Sequence, residues 1–172
     1  MSMAIRLIRP ALPEDINELL KLRREYCQQT YKGFDVLCNL EDDQEYASTL
    51  AQWFDDSNVR ISLLYLDDTL MAFSAYRLPN PKSGEILDMQ CLPGASLKDI
   101  QALMESVIKE MTGLDANYVE VWVLRDNLRA RYHYQQFGFK PVGGNKEMVV
   151  GDTTLLYTRY IYCLKECPPD CI

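Results

Sequence analysis

The stretch Val121–Phe139, VWVLRDNLRARYHYQQFGF, decides the fold that this chain is predicted to adopt. An apolar run from residue 118 to Val123 predicts a buried strand, and a polar turn and a helix follow it. Asp126 or Asn127 can cap this helix, because a short side-chain oxygen accepts an N–H of the first turn. Gly138 stands where the end of a helix commonly needs a positive φ. The stretch therefore predicts a strand, a helix and a glycine exit into another strand.

One face of this helix has an unusual composition. Asn127, Ala130 and Tyr134 are spaced i, i+3 and i+7, so they share a face. The face is polar at both ends and small in the middle, whereas a face that only packs against a core is apolar throughout. These three residues are therefore candidates for contact with a ligand.

The pattern Asn-x-x-Ala-x-x-x-Tyr-x-x-x-Gly-Phe, here Asn127 to Phe139, resembles the GNAT superfamily of N-acetyltransferases. The resemblance implies acetyl-CoA as cosubstrate, with Asn127 and Ala130 beside the pantetheine arm. It also implies that the hydroxyl of Tyr134 protonates the departing thiolate. A free phenol pKa near 10 suits a group that holds its proton at neutral pH. A purely structural aromatic is the alternative for Tyr134.

Composition limits the classes of function. The chain has 172 residues, of which 48% are hydrophobic and 25% charged, as in an ordinary globular protein. We expect a single domain over residues 1–172, with a loose tail from about residue 165, in the cytoplasm. No apolar run approaches the length of a membrane span. The net charge of −7 disfavours nucleic acid or an anionic membrane as a partner and is compatible with a cationic substrate.

The six cysteines are expected to be free thiols, since the chain shows no secretory signal. Cys163, Cys167 and Cys171 recur at four-residue steps. Zinc sites usually contain Cys-x-x-Cys pairs, and Pro168 and Pro169 would break a helix that aligned these three. We therefore expect no metal site.

Periodicity predicts the order β-α-α-β-β-β-α-β-α-β-β. Helices are expected from Pro13, over Tyr46–Phe54, over Ile100–Met111 and after Asn127. Strands are expected at Ile5–Arg9, Val59–Leu66, Leu70–Leu78, Glu85–Cys91, Tyr118–Val123, Glu147–Val150 and Leu155–Leu164. This order predicts an α/β (α+β) fold with a mixed, mostly antiparallel twisted sheet of about seven strands and four helices. The resemblance implies that the fourth and fifth strands are parallel and splay apart, and that the acyl cofactor enters the gap.

The loop after the fourth strand departs from the family pattern Gln/Arg-x-x-Gly-x-Gly/Ala. The corresponding residues are Ser96, Leu97, Lys98, Asp99, Ile100 and Gln101. Asp99 and Gln101 replace the two glycines, and their side chains would crowd a pyrophosphate. Asp99 also adds a charge of the same sign as the pyrophosphate, which costs about 1–4 kcal/mol. Lys98 and the free N–H groups of the helix start would compensate in part. A helix that is merely capped by Ser96 and binds no ligand is the alternative.

Candidate acceptor groups lie on the fourth strand and before the second helix. The resemblance implies a thioester carbonyl against the backbone near Cys91, beside Met89, and an acidic residue facing the amine, here Asp88. The alternative for Asp88 is a solvated carboxylate or a pair with Arg77. Glu85 lies three positions before Asp88, so simple alternation along a strand places it on the opposite face. His133 is expected to miss the cleft. Tyr31 and Phe34 are candidate substrate contacts.

Three functions remain open. The first is N-acetyl transfer from acetyl-CoA to a small-molecule primary amine. The second is a GNAT-like binding or regulatory protein with weak or absent coenzyme A binding, as the loop without glycines suggests. The third is transfer of another acyl group, since Leu97 and Met89 could reshape the pocket. The family also implies a homodimer, to which the late tyrosines Tyr157, Tyr160 and Tyr162 would be suited, although they equally suit a monomer's sheet face.

Overall fold

The computed structural model describes residues 3–29, 42–150 and 152–171, and the described part contains one mixed sheet of seven strands and four α-helices. The helices are α1 (Ile16–Gln29), α2 (Asp43–Asp55), α3 (Leu97–Gly113) and α4 (Leu128–Phe137). The strands are β1 (Arg6–Pro10), β2 (Val59–Leu66), β3 (Thr69–Arg77), β4 (Ser83–Cys91), β5 (Tyr118–Leu124), β6 (Lys140–Val150) and β7 (Thr153–Cys163). The predicted fold class is confirmed. None of the described helices is both long and apolar enough to cross a bilayer.

The strand order is β1-β2-β3-β4-β5-β7-β6, and every pair is antiparallel except β4 with β5. The parallel pairing covers only Ser83–Ile86 of β4 against Tyr118–Val121 of β5. β4 continues to Cys91 and β5 to Leu124 without pairing with each other. The two strands therefore part in the middle of the sheet, as predicted.

Each face of the sheet carries two helices. The apolar stripe of α3, which includes Leu103 and Met104, is fully buried with residues of β4, β5 and α4 on one face. On the other face Leu19 of α1 and Leu50 of α2 are fully buried against β2 and β3. The helical spacing of these apolar residues explains the arrangement, because each stripe can be buried only against the sheet. The opening between β4 and β5 thus lies between two packed layers.

A β-bulge at Leu87 sets the direction of the side chains of β4. Ala75 of β3 pairs with Asp88 and Tyr76 pairs with Ile86, so Leu87 is an extra residue on β4. Asp88 therefore lies on the face covered by α1 and α2. Glu85 lies on that face too, since it pairs with Arg77, which bonds Asp56 at the end of α2. The expectation that Glu85 and Asp88 lie on opposite faces of the sheet was wrong, because simple alternation along a strand does not allow for a β-bulge.

The sixth strand is longer than predicted. It runs over Lys140–Val150 rather than Glu147–Val150. Val142 pairs with Arg159 and Asn145 pairs with Thr158, so two glycines between them are accommodated as an irregularity. Gly144 has φ +105°, a conformation that glycine adopts without strain. The glycine pair interrupts the apolar pattern but not the strand.

The expectation that the cysteines are free thiols was wrong in part. Cys163, at the end of β7, forms a disulfide with Cys167, whereas Cys91 and Cys171 are free thiols. Four-residue spacing across the end of a strand brings the two α-carbons to 5.2 Å, within reach of a disulfide. The segment after β7 is also joined to the sheet by Arg159, whose Nη1 donates to Asp170 Oδ2 at 2.5 Å.

One of the late tyrosines is a core residue. Tyr160 is fully buried, and its hydroxyl accepts a hydrogen bond from Arg131 Nε at 3.0 Å. Tyr157 and Tyr162 are partly exposed. Tyr160 therefore belongs to a sheet face covered by its own chain and does not contribute to a dimer surface.

Candidate active site

A cavity of about 260 Å³ opens where β4 and β5 part. Its walls come from both faces of the sheet, which places α1 and α2 on one side and α4 on the other. The lining comprises Arg23, Tyr26, Cys27, Tyr46, Leu87, Asp88, Met89, Gln90, Val121, Trp122, Val123, Leu124, Asn127, Ala130, Tyr134 and Tyr157. Five predicted site residues, namely Asp88, Met89, Asn127, Ala130 and Tyr134, meet in this cavity.

Tyr134 of α4 lines the cavity and is 5% exposed. Its ring packs edge-on against Phe139, with the centroids 5.3 Å apart. Within the described residues, its hydroxyl forms no hydrogen bond to protein. Burial raises the pKa of Tyr134 far above its ordinary value, and nearby Asp88, Tyr26 and Cys91 add to the effect. The phenol therefore keeps its proton at neutral pH and has it available for a ligand.

Asn127 caps α4, which decides between the two residues that the sequence proposed. Its Oδ1 accepts a hydrogen bond from the backbone N–H of Ala130 at 3.1 Å. Its side chain also bonds Tyr26 of α1, and burial raises the pKa of that tyrosine. Gly138 ends the helix with φ +123°, as predicted. The cap and the glycine together set the rotation of α4 that turns Ala130 and Tyr134 toward the cavity.

Asp88 projects from the parted half of β4 toward α2. The hydroxyl of Tyr46 donates to its Oδ2 at 2.6 Å, and Gln90 Nε2 donates to the same oxygen at 3.0 Å. Burial raises the pKa of Asp88, while the bonds from Tyr46 and Gln90 and the charge of Arg23 oppose that rise. The predicted alternative of a pair with Arg77 was wrong, since the bulge turns Asp88 toward the cavity.

A smaller cavity of about 20 Å³ adjoins the first beneath α4. Cys91 and His133 contribute to it, together with Met89 and Ala130. Burial raises the pKa of the Cys91 thiol and lowers that of His133. His133 thus lies closer to the site than its position on the helical wheel suggested, because the space continues around α4.

The start of α3 is closed by its own side chains. Ser96 Oγ accepts from the N–H of Asp99 at 3.2 Å, and Asp99 Oδ2 accepts from the N–H of Ser96 at 3.0 Å, which is a capping box. Arg6 of β1 donates to Asp99 Oδ1 at 2.7 Å. Burial acts to raise the pKa of Asp99, but the bonds from Arg6 and Ser96 outweigh it and lower the pKa.

The predicted role of Asp99 therefore needs correction. We expected the charge of Asp99 to face the ligand and to be compensated in part by Lys98. Instead the carboxylate is 7% exposed and its charge is balanced by Arg6, a contact across 93 residues that no local pattern reveals.

The other residues predicted in the cofactor loop lie at the same helix start. Ile100 is buried in the core at 1% exposure. In the described structure neither cavity is lined by Ser96, Leu97, Lys98, Asp99, Ile100 or Gln101. Their predicted contact with a pyrophosphate stays a prediction. Tyr31 and Phe34 lie outside the described residues.

The residues of the cavity wall that were not predicted include five polar side chains, Arg23, Tyr26, Tyr46, Gln90 and Tyr157. Tyr26 and Tyr46 fit the apolar stripes of their helices, and a period cannot distinguish a core from a cavity. Gln90 had a usable signal, because it follows Asp88 by two residues and shares its face of the strand.

No family model matches the chain, and no curated protein sequence is detectably similar to it. Solved structures are similar in fold. A probable acetyltransferase from Staphylococcus epidermidis superposes with a TM-score of 0.74 at 14% identity, over 92% of this chain and 99% of that one. A GNAT-family acetyltransferase from Streptococcus pneumoniae gives 0.66 at 19% identity, over 93% and 100%. The ribosomal-protein-S18-alanine N-acetyltransferase from Escherichia coli gives 0.70 at 12% identity, over 96% and 98%. The chain therefore has the GNAT fold.

Proposed function

We propose that this protein is an N-acetyltransferase that moves an acetyl group from acetyl-CoA to a primary amine of a small molecule. One observation carries the proposal: the cavity between the parted strands β4 and β5 contains both a protonated phenol, Tyr134, and a carboxylate, Asp88. The GNAT fold supports the same class of reaction by analogy, since the fold alone does not determine a function.

Acetyl-CoA would supply the acetyl group as a thioester, and the parted strands offer an extended space for its pantetheine arm. Leu92, directly after β4, donates its N–H to the carbonyl oxygen of Met71 of β3 at 2.8 Å. Because backbone N–H groups alternate in direction along a strand, the N–H of Cys91 points into the gap. This N–H is our candidate donor to the thioester carbonyl.

The two ionisable groups have complementary tasks. Asp88 would hold the ammonium of the acceptor at its second carboxylate oxygen and take the proton that the amine must lose. Tyr134 would give its phenolic proton to the leaving thiolate, and the second proton that the acylated nitrogen must lose would restore the phenol. The raised pKa of Tyr134 suits a donor that must stay protonated throughout the neutral range.

A specific observation favours a second candidate, a binding or regulatory protein with weak or absent coenzyme A binding. Two N–H groups at the start of α3 are occupied by the capping box, that of Asp99 by Ser96 Oγ and that of Ser96 by Asp99 Oδ2. Fewer donors are then left for a pyrophosphate than in an uncapped helix start. The N–H groups of Leu97 and Lys98 have no bond within the described residues and would have to provide that contact.

Titration with acetyl-CoA, followed by thermal unfolding, separates the two candidates. A ligand at ten times its Kd stabilises a protein by about 1.4 kcal/mol. We expect stabilisation by acetyl-CoA, and release of free thiol when a panel of primary amines is added. Stabilisation without thiol release for any amine would favour the binding protein. No stabilisation at millimolar acetyl-CoA would contradict the transferase and favour the binding or regulatory protein.

A further inference from the structure

A closed ring of hydrogen bonds surrounds one oxygen of Asp88. The hydroxyl of Tyr46 donates to Asp88 Oδ2 at 2.6 Å, and Gln90 Nε2 donates to the same oxygen at 3.0 Å. Gln90 Nε2 also donates to the hydroxyl oxygen of Tyr46 at 3.3 Å. The hydroxyl of Tyr46 and the two N–H bonds of Gln90 Nε2 each donate once, and both side-chain bonds to the carboxylate end on Oδ2. Oδ1 accepts no side-chain hydrogen bond among the described residues, which leaves it available to a ligand in the cavity.

The orientation of the Gln90 amide has a cost. Gln90 is 6% exposed, and among the described residues its Oε1 is the buried side-chain polar atom without a hydrogen-bond partner. A buried acceptor without a partner typically destabilises a protein by about 1–3 kcal/mol. Turning the amide over would place Oε1 against an ionised Asp88, which is worse. The arrangement thus suits a carboxylate and not a carboxylic acid.

Tyr46 is held in place by contacts that have no need of Asp88. Its ring lies beneath the guanidinium of Arg23, with 4.4 Å from the guanidinium carbon to the centroid, and meets Trp53 edge-on at 6.3 Å. It is 4% exposed. A hydroxyl fixed in this way can set the position of the carboxylate, rather than follow it.

We propose that Tyr46 and Gln90 are positioning residues that keep Asp88 ionised and point its Oδ1 at the acceptor amine. The catalytic consequence rests on the function proposed above, whereas the effect on the carboxylate itself does not. The sequence offered no motif for this role, since Tyr46 and Asp88 are 42 residues apart.

Other ionisable groups face Asp88 as well, and their charge states must be the same in every variant that is compared. They lie on α1, α4 and β7 and comprise Arg23, Tyr26, Tyr134 and Tyr157. Tyrosine side chains ordinarily stay neutral below pH 10, and an arginine side chain stays charged at all working pH values. In the acid and neutral range, the titration of Asp88 therefore reports on its own hydrogen bonds.

The test is a ¹³C NMR titration of the side-chain carboxyl of Asp88 in the whole protein labelled at aspartate. Asp88→Asn identifies the signal. We expect Tyr46→Phe and Gln90→Met each to move the titration midpoint upward by about one pH unit, the scale of one lost hydrogen bond to a charged group. Tyr76→Phe is the matched control: it removes a buried hydroxyl that bonds Glu110 at 2.5 Å, outside the cavity, and should leave the midpoint unchanged.

An unchanged or lowered midpoint in Tyr46→Phe overturns the role of Tyr46, and the same result in Gln90→Met overturns that of Gln90. Where acetyl transfer is observed, the acid limb of kcat/KM should move to higher pH with the NMR midpoint. A protein without transferase activity would disprove the proposed function and still give the NMR result. The two failures are therefore distinguishable.

Discussion

At the scale of the residue, the least common feature is a buried tyrosine whose hydroxyl has no protein partner in the described structure. Burial makes ionisation of Tyr134 unfavourable, so the phenol remains a proton donor at every pH at which the protein is assayed. Its ring is fixed by Phe139 and not by its hydroxyl. The oxygen can then be removed without moving the ring.

Tyr134→Phe should therefore lower kcat and leave coenzyme A binding nearly unchanged. General acid catalysis typically contributes about 10²–10⁴-fold, so we expect a loss of at least that lower order. Assays of thiol release measure kcat, and thermal shifts with coenzyme A measure the affinity for coenzyme A. Tyr132→Phe, on the exposed side of α4, is the control. Full turnover in Tyr134→Phe would remove this residue from the mechanism.

Asp88 should impose an acid limb on activity. The residue must be ionised to take a proton, and its pKa is raised chiefly by burial. Activity is then lost as pH falls through that raised pKa, at higher pH than for an ordinary aspartate. The pH profile of kcat/KM checks this. Asp88→Asn should abolish the limb together with most of the activity, and a variant that keeps both would contradict the assignment.

At the scale of the element, the start of α3 is stabilised by residues from two parts of the chain. Ser96 and Asp99 cap the helix, and Arg6 of β1 binds Asp99. Helix caps typically contribute about 1 kcal/mol. The N-terminal strand and α3 are thereby joined through one buried carboxylate.

Asp99→Asn should lower the free energy of unfolding by about 1 kcal/mol at neutral pH, since a cap and a charged bond are weakened. The folded pKa of Asp99 is lowered, so its contribution is present above the unfolded pKa and disappears as pH falls through the folded pKa. Wild type and variant should thus converge in stability in acid. Urea unfolding at several pH values measures this, with the exposed Asp152→Asn as control. A constant difference across pH would exclude the charge as the cause.

At the scale of the whole molecule, the cavity exists because two strands of one sheet part while helices on both faces stay packed. Ala130 is the small residue that α4 presents to both the larger and the smaller cavity. A larger side chain there would enter space that is already open. Ala130 is partly buried at the border of the core beneath α3, and the core beneath α1 and α2 does not include it.

Ala130→Phe should therefore fold with nearly wild-type stability and lose stabilisation by acetyl-CoA. Thermal unfolding with and without millimolar acetyl-CoA tests both statements in one experiment. Ala51→Phe, at an exposed site on α2, controls for the added aromatic ring. An unchanged response to acetyl-CoA in Ala130→Phe would mean that the ligand does not use the gap between β4 and β5.

Much of the architecture could be predicted, because local patterns reflect local physics. The cap at Asn127, the positive φ of Gly138 and the helix between them follow from neighbours within one turn. The order of elements along the chain follows from its alternating periods, whereas the parallel and parted pair β4 and β5 was expected from the family resemblance. The start of β6 was predicted too late, because two glycines interrupt the apolar pattern of the sequence without interrupting the pairing of β6 with β7.

The composition of the candidate site could be predicted only in part. The sequence by itself determined which helix face would carry Ala130 and Tyr134, since a helix repeats every 3.6 residues whatever surrounds it. Tertiary structure alone decided that Tyr46 would reach Asp88 and that Arg6 would neutralise Asp99. These contacts span 42 and 93 residues, and their partners are chosen by the packing of helices on a bulged, parted sheet. Charge and hydrogen bonding depend on distance in space, which a one-dimensional pattern does not contain.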